Sequence, residues 1–214
     1  MKTVTIRTSL ATLTLLAAFT LAGAGCSGTT PPVDESDGPQ APQLAGRWVS
    51  DCTPSPGADG STQYFRLDFD IAAASWALDY RVHADDRCTQ PLVTIHIAGP
   101  YEIERPSAGV ADAWEARFGF STKTIRPEVD GLRDYLDSLE GCGTTDFETG
   151  VAQDVLTSGC PGLGQYPASS CGADYDIVKL EGDVLQFGSR PADNDMCSPD
   201  KRPAELSPVL NHRS

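Results

Sequence analysis

Four segments of the chain alternate apolar and polar side chains with a period of two. In QYFRLDFDI, Phe65, Leu67 and Phe69 point one way while Arg66, Asp68 and Asp70 point the other. SWALDYRVH sets Trp76, Leu78, Tyr80 and Val82 against Asp79, Arg81 and His83. LVTIHIAG sets Val93, Ile95 and Ile97 against Thr94 and His96, and AWEARFGF sets Trp114, Ala116, Phe118 and Phe120 against Glu115 and Arg117. Each pattern predicts a strand with one dry and one wet face. Further on, YDIVKL and DVLQFG flank Glu181, Gly182 and Asp183, a short Gly-containing loop that predicts a hairpin. One segment changes period. PEVDGLRDYLDSLEG places Val129, Leu132, Tyr135, Leu136 and Leu139 at three-and-four spacing, with Pro127 and Glu128 in front and Gly141 just past the end. It predicts a short amphipathic helix of about three turns, its apolar stripe lying on the sheet or covering an open end of it. Strands and helices do not alternate regularly, so the pattern favours a mainly β fold: an antiparallel curled sheet or β-barrel with one helix.

The dry faces supply the candidate ligand-binding residues: Phe65, Leu67, Phe69, Trp76, Leu78, Tyr80, Ile95, Ile97, Trp114, Phe118 and Phe120. They either line a cavity for an acyl chain or fill a closed core, because a small barrel is occupied by its own side chains unless the sheet is wide enough to leave ligand space. Trp48 is read as a plug at one end of the barrel.

The first 26 residues, MKTVTIRTSLATLTLLAAFTLAGAGC, begin with Lys2 and Arg7, continue with an apolar run from Leu10 to Leu21 and end in small residues. That is the layout of an export signal, with an apolar part too short for a comfortable membrane span. Two cleavage readings compete: removal just before Cys26 with lipid on its thiol, or cleavage after Ala24. The segment resembles a bacterial lipobox, with Gly25 in the small position and Gly23 a poor fit two residues before it. Cysteine parity favours lipidation. The chain has seven cysteines; with Cys26 lipidated, Cys52, Cys88, Cys142, Cys160, Cys171 and Cys197 form an even set suited to an oxidising exterior. Residues 1–25 are thus a lipoprotein signal peptide. Residues 26–43, Pro-rich with a short acid cluster and almost no apolar side chain, are a disordered tether, and 44–214 form the folded domain. The localisation this implies is a bacterial cell envelope, lipid-anchored to a membrane and facing an extracytoplasmic compartment.

Charge removes one class of partner. The formal charge of −14 becomes −16 once Lys2 and Arg7 leave with residues 1–25; nothing here draws nucleic acid, and an anionic lipid surface would repel the domain. Anchoring then falls to the lipid, where several acyl chains suffice and a single one is marginal.

Chemistry-bearing motifs are scarce. Only three histidines exist, in no metal-ligand spacing. His83 and His96 lie on polar strand faces, predicted to be solvated or hydrogen-bonded, and His212 is near the end. A nucleophile elbow, a P-loop and a dinucleotide fingerprint are absent. Asp85 with Asp86, and Asp193 with Asn194 and Asp195, lack EF-hand spacing and read as turn residues. The expectation is a non-enzymatic protein without a metal or other cofactor.

A wider pattern runs through the domain. It opens L-x-G-x-W-x-S-x-x-C with Leu44, Gly46, Trp48, Ser50 and Cys52, continues with Tyr80, Cys88, Pro91, Gly99 and Tyr101, then CG(x)6GVAQDVxxxGCxxLG from Cys142 to Gly164, then Tyr175, Asp176 and Ile177. It closes with LQFGSRPADN, carrying Gly188, Arg190 and Pro191, and KRPAELSPVL. In this order, from Leu44 to Leu210, the chain resembles the adenomatosis polyposis coli down-regulated 1 family, which occurs in animal Wnt antagonists and in bacterial proteins. The resemblance implies an extracellular, membrane-attached, lipocalin-like barrel module that binds a lipid or the acyl group of a lipidated protein, without catalysis. A bacterial lipoprotein signal makes Wnt itself no credible partner. It also implies a Cys142–Cys160 bridge. Phe147 stands where a tryptophan is expected, the cysteine expected after the closing motif is missing, and Cys171 and Cys197 are extras, so the pairing of Cys52, Cys88, Cys171 and Cys197 stays open. The functional reading is a lipid-anchored binding module for a hydrophobic ligand or lipidated protein; the alternative is a filled barrel that recognises a protein through its loops.

Overall fold

The computed structural model describes residues 39–57 and 60–214. The expected signal peptide, Cys26 and most of the tether lie outside them. The strands in chain order are β1 (Gly46–Ser50), β2 (Thr53–Pro56), β3 (Thr62–Ile71), β4 (Ser75–His83), β5 (Pro91–Pro106), β6 (Trp114–Gly119), β7 (Thr122–Pro127), β8 (Gln153–Asp154), β9 (Ala173–Glu181), β10 (Val184–Phe187) and β11 (Asn211–Arg213). The helix α1 spans Asp130–Ser138. Every pairing is antiparallel, and β1, β3, β4, β5, β6, β9, β10 and β11 pair in a ring that returns to β1, a closed eight-stranded barrel.

Closure is made at β1, which pairs with β3 on one side and β11 on the other, so that Trp48 stands opposite both Phe69 and Arg213. Its indole is fully buried, donates from Nε1 to the Leu44 carbonyl at 2.8 Å, and lies under the Arg213 guanidinium, 4.1 Å from the ring. Gly46 is needed here twice over. Its φ of 143° disfavours a side chain, and a Cβ would overlap Arg213 Nη1. The G-x-W spacing therefore encodes a fully buried tryptophan at the strand where the ring closes.

The strand β5 is twice used. Its first half pairs with β7 and its second half with β6, while β4 runs along the other edge as far as Pro100. Phe118 faces Tyr101 and Thr122 faces Ala98, so four steps on the β6–β7 line oppose three on β5, which is a one-residue bulge. The bulge exchanges faces: β6 points Phe118 inward, and β7 buries Lys123, Ile125 and Pro127. Beyond it the β5–β7 ribbon carries a second core, in which Val93, Ile95 and Ile125 pack on Leu136, Phe147 and Val155, with Leu132 and Leu139 alongside. The helix thus lies on the sheet. It is shorter than the periodic pattern suggested, because Val129 is its extended N-cap and Leu139 its extended C-cap. Val129 and Tyr135, counted in its apolar stripe, are exposed; Leu132, Leu136 and Leu139 suffice for its docking.

Three disulfides close the domain: Cys52–Cys88, Cys142–Cys160 and Cys171–Cys197. The set fits an oxidising, extracytoplasmic compartment. Among the described residues no helix is long and apolar enough to cross a membrane.

Candidate functional site

The strands of the ring send their inward side chains toward a common axis, and they do not fill it. Two cavity lobes remain, about 270 Å³ and about 520 Å³ in volume. Phe65, Leu78, Tyr80 and Arg190 border both, so the lobes meet around these four side chains. The smaller lobe, referred to as the inner one, is walled by Leu67, Phe69, Trp76, Phe118 and Phe187, and its border is completed by Asp176 and Asn211 and by the half-buried Ser207 and Val209. The outer lobe is walled by Ile95, Ile97 and Phe120, then by Leu163, Gly164 and Tyr166, and reaches the exposed Pro191 and Ala192. Inward-facing Phe65, Leu67, Tyr80, Ile97 and Phe120 are only half-buried, which is what side chains bordering empty space should show.

Of the eleven dry-face candidates, all but Trp114 border this cavity. Trp114 is half-buried against the main core and pairs with Val178 and Pro106, supporting the wall. Aromatic contacts stiffen the wall: Phe69 stacks on Phe187 at 4.6 Å between ring centroids, and Trp76 meets Phe118 edge-on at 5.1 Å. The indole of Trp76 donates to the Gly119 carbonyl at 3.0 Å, so its polar atom is satisfied and its ring faces the lobe.

The pattern of alternation did not reveal the charged groups. Arg190, which follows β10, has side-chain exposure of 43% and borders both lobes of the cavity. It donates from Nη2 to Asp174 Oδ2 at 2.5 Å and from Nη1 to Asn194 Oδ1 at 2.7 Å. Burial alone would lower its pKa, but Asp174 and Asp176 reverse the direction and hold the guanidinium charged. Lys123 is buried in the outer lobe, donating to the Tyr166 carbonyl at 3.1 Å with its ammonium 3.8 Å from the centre of the Phe120 ring. Burial pushes its pKa down to about 8, against the pull of Asp174. The Tyr80 phenol is raised by burial and partly relieved by Arg190.

Asp176 lies on the inner lobe, its Oδ1 accepting from the backbone N–H of Ile177 at 2.7 Å and of Gly188 at 2.9 Å. A Cβ at position 188 would press on this carboxylate and on Pro203, so the glycine of the G-S-R-P run makes room for Asp176 while the arginine two residues on enters the cavity. Burial raises the Asp176 pKa to about 6, opposed by Arg190 and the two N–H donors. The folded chain therefore holds this proton up to about pH 6, whereas the unfolded chain releases it near 3.8. The resulting stabilisation is complete below 3.8 and lost as the pH rises through 6. Asp176→Asn keeps both accepted bonds without the charge. At pH 8 it is expected to stabilise the domain by up to about 3 kcal/mol, and the gain should shrink to nothing at pH 3. Urea unfolding at the two pH values checks this; a variant less stable than the parent at pH 8 contradicts it.

Elsewhere the polar residues fall as turns. Asp85 Oδ1 accepts from the backbone N–H of Thr89 and Gln90, and Asp193 Oδ1 from that of Asp195. Asn194, read as a turn residue, has a φ of 56° and also holds Arg190. His96 Nδ1 lies 2.7 Å from Asp79 Oδ1, a hydrogen-bonded histidine as expected. His83 corrects the expectation. It is 4% exposed, and neither ring nitrogen has a hydrogen-bond partner among the described residues. Burial, at the strand end where the β4–β5 register shifts, lowers its pKa and favours the neutral ring.

The chain matches no protein-family model and no curated protein. The cavity is mainly apolar, is bordered by two cations and two carboxylates, and reaches the surface beside a disulfide-tied loop.

Proposed function

We propose that this protein is a lipid-anchored extracytoplasmic binding module whose barrel takes up a hydrophobic ligand, an acyl chain or the acyl group of a lipidated partner. The observation that carries the reading is the interior space bordered by Leu67, Phe69, Trp76, Leu78 and Phe118. Eight strands are enough to hold one small ligand, and the two lobes are of the size of small-molecule sites. Burying a chain of ~14 methylenes at about 0.8 kcal/mol each gives roughly 11 kcal/mol before the cost of association. A preformed wall keeps that cost low. Lipidation of Cys26 and a bacterial envelope location belong to the same reading; they are supported by the signal-like N-terminus and by the even set of cysteines left for the three disulfides.

An environment-sensitive fluorescent fatty acid, titrated into the purified disulfide-bonded protein and displaced by hexadecanoic acid, tests this. One saturable site is expected. Leu67→Trp, which puts bulk into the inner lobe, should weaken it by about tenfold or more while leaving the fold intact, since each 1.4 kcal/mol of lost burial is a factor of ten. No saturable uptake by the folded parent overturns the proposal.

A further inference from the structure

The two lobes differ in charge, and the difference orients a ligand. The outer lobe is bordered by Lys123, Arg190 and Asp174, a formal excess of one positive charge, whereas the inner lobe shares Arg190 at its junction and otherwise has Asp176 as its charged group, with Ser207 and Asn211 as neutral polar neighbours. Asp174 is already committed to Arg190, and Asp176 Oδ1 to two backbone donors. The donors are less fully used. Arg190 engages two of its five N–H groups in hydrogen bonds, and Lys123 one of its three, its ammonium otherwise lying against the face of Phe120. Cationic donors held in an apolar wall are costly to leave without acceptors, and a planar guanidinium favours a carboxylate.

Resting on the proposed acyl binding, we infer that the ligand is a single-chain amphiphile with an ionised carboxylate, its headgroup held by Arg190 and Lys123 in the outer lobe and its chain running inward toward Trp76 and Phe118. Polar end outward suits the position of the outer lobe, which reaches the exposed Pro191 and Ala192. The groups facing the headgroup are Tyr80 from β4, Lys123 from β7, Tyr166 from the segment before β9, Asp174 and Asp176 from β9, and Arg190. Of these, Lys123 gives the binding its pH dependence on the alkaline side: it loses its proton near pH 8 in the free protein, and a bound anion retains that proton. Carboxylate affinity should therefore fall as the pH rises past 8.

The test compares hexadecanoic acid with its methyl ester on the purified disulfide-bonded protein at pH 7. The acid is expected to bind roughly tenfold to a hundredfold more tightly than the ester, the worth of a hydrogen bond to a charged group. Lys123→Met, which keeps the length of the side chain, should shrink that ratio, lowering affinity for the acid more than for the ester. Arg190→Met should shrink it further; because it strips Asp174 of its partner, its fold is checked by near-ultraviolet circular dichroism. Equal affinity for acid and ester in the parent overturns the headgroup assignment and leaves acyl binding standing. An unchanged ratio in folded Lys123→Met removes Lys123 from it, and binding of neither ligand overturns both proposals.

Discussion

Trp48→Ala is expected to lower the unfolding free energy by roughly 3–5 kcal/mol, the usual cost of truncating a fully buried tryptophan. The reasons compound at this position. The indole is fully buried among Leu44, Phe69 and Ile71, satisfies the Leu44 carbonyl, and lies beneath Arg213. It also sits on β1, the strand whose two neighbours close the ring, so the space left would open between β3 and β11. Trp114→Ala supplies the contrast: that side chain is only half-buried, and the loss should be well under half as large. Urea unfolding followed by far-ultraviolet circular dichroism measures both. A loss under about 1 kcal/mol at Trp48 would contradict its weight at the closing strand.

Opening the Cys171–Cys197 bridge with paired serines is expected to cost roughly 3–4 kcal/mol, the loop-closure entropy of a bridge with this spacing. A second effect separates it from the other two bridges. Cys171 borders the outer lobe, and the segment tied by Cys197 carries Arg190, Pro191, Ala192 and Asn194, which border it too. With the bridge gone, the wall that holds Arg190 is free to move, and ligand affinity should fall more than stability alone explains. The paired change at Cys52 and Cys88, whose bridge lies at the β4–β5 turn and borders neither lobe, should destabilise without that additional loss of affinity. Equal binding by the two folded double variants would contradict this role for Cys171–Cys197.

Much of the barrel could be read from period two because its main strands each have one wet face. SWALDYRVH coincides with β4, and the dry residues of β3, β4 and β6 point inward as alternation requires. Where that reading stopped short, the backbone had a local reason. The alternating segment LVTIHIAG stops at Gly99, yet β5 continues to Pro106 because Pro100 faces Ser75 at the close of the β4 ladder, where a missing N–H costs little. The bulge between Phe118 and Thr122 hid Lys123: continued alternation would place it outside, and one extra residue turns it in. Arg190 was visible only as part of a motif, since it lies in the loop after β10 and its partner Asp174 is distant in sequence. Asp174 and Asp176 share the inward face of β9 with Val178, but that strand is buried on both faces and shows no clean alternation to mark them.

A barrel interior that is a binding space rather than a filled core should retain an acyl chain. Native mass spectrometry of the protein, produced in an oxidising compartment and presented with hexadecanoic acid, addresses that claim most directly. The expected result is a chain with three disulfides that retains one acyl ligand, and loss of that ligand in Leu67→Trp at unchanged disulfide count. A folded parent chain with all three disulfides that retains no acyl ligand would contradict it.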